Sequence, residues 1–197
     1  MFARFSQLQN HLELAHELWQ RQAQPGDLVI DATCGNGHDT LFLAKLVLQG
    51  NLGTVVAIDL QASGIAKTQE LLSGQLTPNE MERVHFYLQS HETFPILPEK
   101  PKLIVYNLGY LPGSDKTVKT KSDTTLASLQ QACSLLPPGG AVSITCYPGH
   151  SEGAQEENDL LVFCQTLEPT IWAVTHHRWL NRNRSPSIIY IQRPKKD

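Results

Sequence analysis

Asp31-Ala32-Thr33-Cys34-Gly35-Asn36-Gly37-His38-Asp39-Thr40 follows the short apolar run Leu28-Val29-Ile30 and leads into a helix-like segment over residues 38–48. Two glycines one residue apart let the backbone turn tightly and approach a ligand closely. Apolar run, glycine turn and periodic segment read as strand, loop and helix. Upstream, Leu8, Leu12, Ala15, Leu18 and Trp19 recur at helical spacing and stop before Pro25-Gly26. They predict an N-terminal helix over residues 7–22, with outer bounds 5–23, packed on whatever sheet the first strand joins.

Downstream the same alternation continues. Residues 53–60 read as a second strand, followed by a helix to about residue 76 that stops near Pro78. Strands are expected at 84–88 and 103–106, then a helix at 123–136 ended by Pro137-Pro138-Gly139-Gly140. A strand at 141–147, a helix at 152–167 and two strands at 171–175 and 187–192 close the chain. Strands alternating with helices imply a parallel sheet covered on both faces, and two closing strands with no helix between them imply an edge hairpin. The expected fold is α/β: a Rossmann-like seven-stranded, mostly parallel sheet with a C-terminal antiparallel hairpin and helices on both faces. Nothing marks a linker or repeat, so residues 1–197 read as one domain. Ligands of such sheets bind at the C-terminal ends of the strands, by the switch point.

Composition is that of an ordinary soluble domain, 41% apolar and 18% charged. No apolar run is long enough for a membrane span, since the longest is interrupted by Lys45. The N-terminus lacks a signal-peptide pattern, so a cytoplasmic location and no membrane partner are expected. Cys34, Cys133, Cys146 and Cys164 show no CxxC spacing, so neither a metal site nor a disulfide framework is expected, only buried thiols. The net charge of −3 does not itself suggest a nucleic-acid binder. Yet Lys116, Lys119 and Lys121 cluster in one loop, and Arg178, Arg182, Arg184, Arg193, Lys195 and Lys196 crowd the C-terminal fifth. Such patches can hold phosphates despite the overall sign, although most charge runs are solvated faces.

The glycine loop lacks the third glycine of a dinucleotide fingerprint, because Thr40 stands there. With Asp31 ahead of Gly35, it resembles motif I of S-adenosylmethionine methyltransferases, where the loop lies beside the cofactor's amino-acid portion. The resemblance implies S-adenosyl-L-methionine as cofactor, held by Asp31, Gly35, Asn36, Gly37, His38 and Asp39, with the Asp31 carboxylate facing the cofactor's ammonium group. Asp39 also suits the first turn of a helix by its charge alone. Asp59 ends the second strand, where a carboxylate accepts both ribose hydroxyls in dinucleotide folds; Gln61 follows it. Gln89, Ser90 and His91 follow the third strand, where related folds contact adenine; each also suits a self-satisfied loop.

The fourth strand runs into Tyr106-Asn107-Leu108-Gly109-Tyr110-Leu111-Pro112-Gly113. This resembles the Asn/Asp-Pro-Pro-Tyr loop of amine-directed nucleic-acid methyltransferases without its two prolines. Methyl transfer demands positioning and a free nitrogen lone pair, and an amide orients an N–H without becoming charged. Asn107 and Tyr110 are therefore the candidate catalytic residues, against the plainer reading of a turn amide and a packed ring. The runs DATCGNGHDT (31–40), YNLGYLPGSDK (106–116), Thr124-Thr125 and YPGHSEG (147–153) resemble, in order, the family once called "putative rRNA methylases", now understood as tRNA 5-aminomethyl-2-thiouridine methyltransferases. That resemblance covers residues 27–183 or so. It implies methylation of the exocyclic amine on the wobble uridine's 5-substituent, with the tRNA anticodon loop as partner. Ser114 and Glu152 depart from the family pattern near the substrate side.

Among the remaining residues, His150 follows the fifth strand and could take a proton, hold a phosphate or open the next helix. Glu156 or Glu157 could neutralise the substrate amine, although a solvated helix face explains both. His16 reads as a packed helix histidine at the cofactor mouth, and Thr124-Thr125 as a helix cap. Lys116, Lys119, Lys121 and Arg182 are the expected RNA contacts. Competing readings are a methyltransferase for a small amine or another RNA site, and a non-catalytic S-adenosylmethionine-binding protein. A homodimer is left open.

Overall fold

The computed structural model describes residues 10–109 and 122–195. Its first strand, β1 (Leu28–Asp31), lies inside the sheet and is buried at every position because strands pair on both of its edges and helices cover both faces. Around it run β2 (Thr54–Asp59), β3 (Val84–Leu88), β4 (Leu103–Asn107), β5 (Ala141–Cys146), β6 (Ala173–His177) and β7 (Ser187–Gln192). The sheet order is β3-β2-β1-β4-β5-β7-β6. β1 to β5 run parallel to one another, while β7 is antiparallel to both β5 and β6. The C-terminal hairpin is present as expected, with its later strand on the inside.

Period-two alternation sorts the strand residues between two cores. Val29, Val55, Leu103, Val105 and Ile188 meet Ala15, Trp19, Leu43, Val47 and Leu72 on one face. Those five come from α1 (His11–Gln22), α2 (His38–Val47) and α3 (Ala62–Ser73). On the other face Leu28, Ile30, Val56, Ile104 and Ile144 meet Leu129 of α5 (Ser122–Leu135) and Leu160 of α6 (Ser151–Gln165). The order reverses between β1 and β4, so the loops leaving these two strands diverge and open a crevice.

Three local readings change. Pro78 does not merely stop a helix: it opens α4 (Pro78–Met81), because Thr77 caps Glu80 and Glu80 answers in a capping box with Pro at N1. β6 starts at Ala173, since Ile171 and Trp172 still turn back onto the Glu168 carbonyl. Leu12 carries the helical period but is 39% exposed and lines the crevice instead of the core. The chain between α2 and β2 turns at Gly53, whose φ is +80°. A Cβ there would stand 2.3 Å from the Val47 carbonyl oxygen. Gly53→Ala should therefore lower unfolding stability by roughly 1–3 kcal/mol, combining left-handed strain with backbone displacement. Urea unfolding should show a lower midpoint at unchanged slope.

Candidate active site

The crevice is a cavity of about 920 Å³ running from the glycine loop after β1 to the ends of β4 and β5. Its floor is the turn Cys34–Gly37. Gly37 caps α2 at φ +84°, and a Cβ there would meet the Thr68 Cα at 2.8 Å, so only glycine lets the loop lie on α3. No side chain caps α2, so its first N–H groups face the cavity end uncovered by a cap. Cys34, Gly35, Asn36, His38 and Asp39 all line the wall.

Asp31 is placed differently from the expectation. Its carboxylate is sealed behind the loop, accepting from the Thr40 hydroxyl at 2.6 Å and the Thr33 N–H at 3.2 Å. Burial, then the charge of Asp39, pushes its pKa from 3.8 to about 7, with the Thr40 and Thr33 bonds opposing. It is absent from the cavity wall, because the strand's last side chain turns down onto α2. Asp31 therefore ties the loop to the helix and does not face a ligand.

Asp59 does face the cavity. One carboxylate oxygen accepts from the Gly35 N–H at 2.9 Å, the other from the Gln61 N–H at 2.8 Å. A carboxylate oxygen has two lone pairs, so each retains one acceptor site for a diol. Leu60, Gln61, Ser90 and His91 continue the wall on this side. The Gln89 side chain turns away to the Thr93 carbonyl and does not contribute. Burial pushes the His91 pKa down to about 4, so the ring is neutral. Behind it Thr125 donates to Glu156 at 2.8 Å and stands 3.5 Å from His91 Nε2. The Tyr106 ring meets the imidazole edge-on, and Ser128 donates to the His91 carbonyl.

At the other end Asn107 finishes β4. Its backbone N–H donates to the Thr33 hydroxyl at 2.7 Å, and its side-chain Nδ2 donates to Asp39 Oδ2 at 2.8 Å. Asp39 Oδ1 meets His16 Nε2 at 2.9 Å, and the His16 ring stacks on Phe42 at 3.8 Å. Tyr147, just past β5, reaches His11 Nε2 with its hydroxyl at 3.2 Å. Burial first, then the Asp39 charge, pushes the Tyr147 pKa to about 12. The phenol is therefore neutral, as is His11, whose pKa burial lowers. His150 caps α6, its Nδ1 accepting from the Gly153 N–H at 3.1 Å, which leaves Nε2 as the protonated nitrogen of a neutral ring on the cavity wall.

Several expected residues go elsewhere. Tyr110, Ser114, Lys116, Lys119 and Lys121 lie outside the described residues. The Arg182 guanidinium lies over the Trp179 ring at 4.3 Å; Arg184, two residues on, is the arginine that lines the cavity. Glu156 is buried against Thr125, and Glu157 holds Ser187 and His176 at 3.3 Å, so neither is a solvated face nor a cavity residue. Thr124 lines the cavity, whereas Thr125 binds Glu156. Thr33 and Tyr147 went unremarked as individual site residues in the sequence, and Arg184 stood out there only as a member of a basic patch. Strand-end position was the available signal for Tyr147; Arg184 had only its charge. The four cysteines are buried free thiols. Among the described residues no His/Cys/Asp/Glu group could hold a metal, and no helix is long and apolar enough to cross a membrane.

The profile of the family described as "Putative rRNA methylase" matches residues 55–193. A tRNA (mnm(5)s(2)U34)-methyltransferase, chloroplastic, of Arabidopsis thaliana is 38% identical over 185 residues, 91% of this chain and 68% of that protein. A crystal structure of a "putative rRNA-methylase" from Clostridium thermocellum superposes with a TM-score of 0.89 at 32% identity, covering 95% of this chain and 99% of that one. A "putative methyltransferase" from Streptococcus mutans in complex with SAH gives 0.83 at 30% identity, with the same coverage.

The raised pKa of Asp31 has a thermodynamic consequence. Between the unfolded value of 3.8 and the folded value of about 7, the native chain holds a proton that the unfolded chain releases. Stability from this group is therefore full below about pH 4 and is lost as pH rises towards 7. Asp31→Asn cannot titrate and keeps an oxygen for Thr40. Denaturant melts from pH 4 to 7 should show the parent losing stability relative to this variant; parallel curves would place the buried proton elsewhere.

Proposed function

Because the chain belongs to the family described as "Putative rRNA methylase" and is an S-adenosyl-L-methionine-dependent methyltransferase, we propose that it methylates the exocyclic amine of 5-aminomethyl-2-thiouridine at the tRNA wobble position. The observation that carries this reading is the Asn107 side chain. Its Nδ2 donates to Asp39, Tyr147 hydrogen-bonds with the same side chain, and the amide lines the cavity. An acceptor-only oxygen at that place suits an amine N–H.

The cavity fits the cofactor by its own chemistry. Asp59 presents two acceptors for the ribose diol, and the uncapped N-terminus of α2 suits a carboxylate. Ser90 and neutral His91 stand where an adenine would lie. When bound, the cofactor supplies an electrophilic methyl group on a sulfonium.

The protein's remaining task is to deliver a neutral amine. An alkylammonium has no lone pair, so its proton must pass to solvent before attack. Asn107 cannot take that proton; Oδ1 accepts a remaining N–H and turns the lone pair toward the methyl group. The neutral Tyr147 phenol and the His150 Nε2–H supply polar groups beside it. Arg184 lines the cavity and suits a phosphate of the anticodon loop, and Lys116, Lys119, Lys121 and Arg182 are the further basic residues that the sequence offers for RNA contact.

Mass spectrometry of tRNA nucleosides from cells with and without the protein tests the substrate: the aminomethyl nucleoside should accumulate and its methylated product vanish. Unchanged nucleosides would leave a small amine or another RNA site. Asp59→Ala should weaken cofactor binding by about 1.5–3 kcal/mol in calorimetry. Asn107→Ala should lower single-turnover rate far more than cofactor affinity, because its bond matures at the transition state. In a third measurement, tRNA affinity should fall steeply with salt, and Arg184→Ala should flatten the log–log slope by about one phosphate contact.

A further inference from the structure

An amide side chain can present either end to its neighbours, and the two ends have opposite hydrogen-bonding character. For Asn107 the choice decides whether the cavity meets an acceptor or a donor. A flipped Asn107 would point N–H groups at the substrate nitrogen and compete for its lone pair. The backbone of Asn107, held by Thr33, does not make this choice. Asp39 does. An ionised carboxylate only accepts, so the bond at 2.8 Å requires Nδ2 on the Asp39 side and Oδ1 on the other.

Asp39 is in turn held. Its second oxygen accepts from His16 Nε2 at 2.9 Å, and His16 is stacked on Phe42 with an interplanar angle of 12° and tilted against Trp19. Both aromatic partners belong to the core under α1 and α2. The Asp39 side chain is only 16% exposed, so solvent competes little for it. The line Phe42–His16–Asp39–Asn107 thus joins α1, α2 and β4, three segments distant in sequence.

We infer that Asp39, braced by His16 from the N-terminal helix, is the positioning residue that fixes the Asn107 amide with its oxygen toward the substrate amine. The inference rests on the amine-methyltransferase reading above. It removes Asp39 from the set of cofactor contacts expected from its place in the glycine loop, and gives α1 a part in the reaction centre.

The test exploits the polarity of the pair. Asp39→Asn can donate as well as accept, so Asn107 is free to flip. Turnover of the tRNA substrate should fall on the order of 10²-fold, with cofactor and product affinity within about twofold of the parent. The double variant D39N/N107D restores one donor facing one acceptor-only group and still offers a carboxylate oxygen to the amine. It should turn over faster than D39N alone, which a merely structural role for Asp39 does not predict. His16→Gln, which keeps a donor, should retain more activity than His16→Leu.

Independently of any substrate, the Asn107 side-chain amide protons should exchange slowly in the parent by NMR and quickly in D39N. Parental turnover in D39N, a double variant no better than D39N, or unchanged amide exchange would each overturn the inference. If the parent itself does not methylate the tRNA, the substrate assignment fails, and the amide exchange still decides whether Asp39 orients Asn107.

Discussion

The Asp39 carboxylate is the point on which the reaction end of the cavity hangs. It stands in the first turn of α2, accepts from His16 on α1 and from Asn107 on β4, and so closes a triangle between elements that the chain visits far apart. Each bond to a charged acceptor contributes on the order of 1.5–3 kcal/mol, more than a neutral pair in the same place. Without it the Asn107 amide at the end of β4 has no defined sense.

That carboxylate has two neighbours of its own sign. Asp31 and Asp59 end the adjacent strands β1 and β2, and parallel pairing delivers both to the same edge of the sheet. The repulsion is managed in two ways. Asp31 is buried and bonded to Thr40, and its raised pKa of about 7 withholds part of its charge at neutral pH. Asp59 accepts from two backbone N–H groups while still facing the cavity. What is left is a modestly negative crevice, suited to a cofactor that carries a sulfonium and an ammonium group. The neutral His91 and Tyr147 side chains keep their part of the wall polar without adding charge.

The fold was readable because its signals are local. Every strand and every longer helix follows from apolar period, glycine and proline punctuation, and the alternation that demands a covered parallel sheet. The brief helix α4 was hidden because Pro78 is both a stop for one helix and a favourable first residue for the next. Strand-end position in the sequence was enough to put Asp59 and Asn107 on the cavity wall. The site was misread where the direction of a side chain decides its role: Asp31 points behind the loop, Gln89 turns to Thr93, and Arg184 takes the place expected of Arg182.

By itself, the sequence determined the α/β alternation, the glycine turn after the first strand and the residues that sit at the C-terminal edge of the sheet. These depend on period and on backbone conformation, which neighbouring residues dictate. Only the tertiary structure decided that His16 reaches Asp39, that Asp39 orients Asn107 and that Asp31 is sealed away. Those contacts join segments separated by 23, 68 and 9 positions, respectively, once three layers have packed. A hydrogen bond across such distances is set by where two backbones come to rest, which no local pattern in the chain encodes.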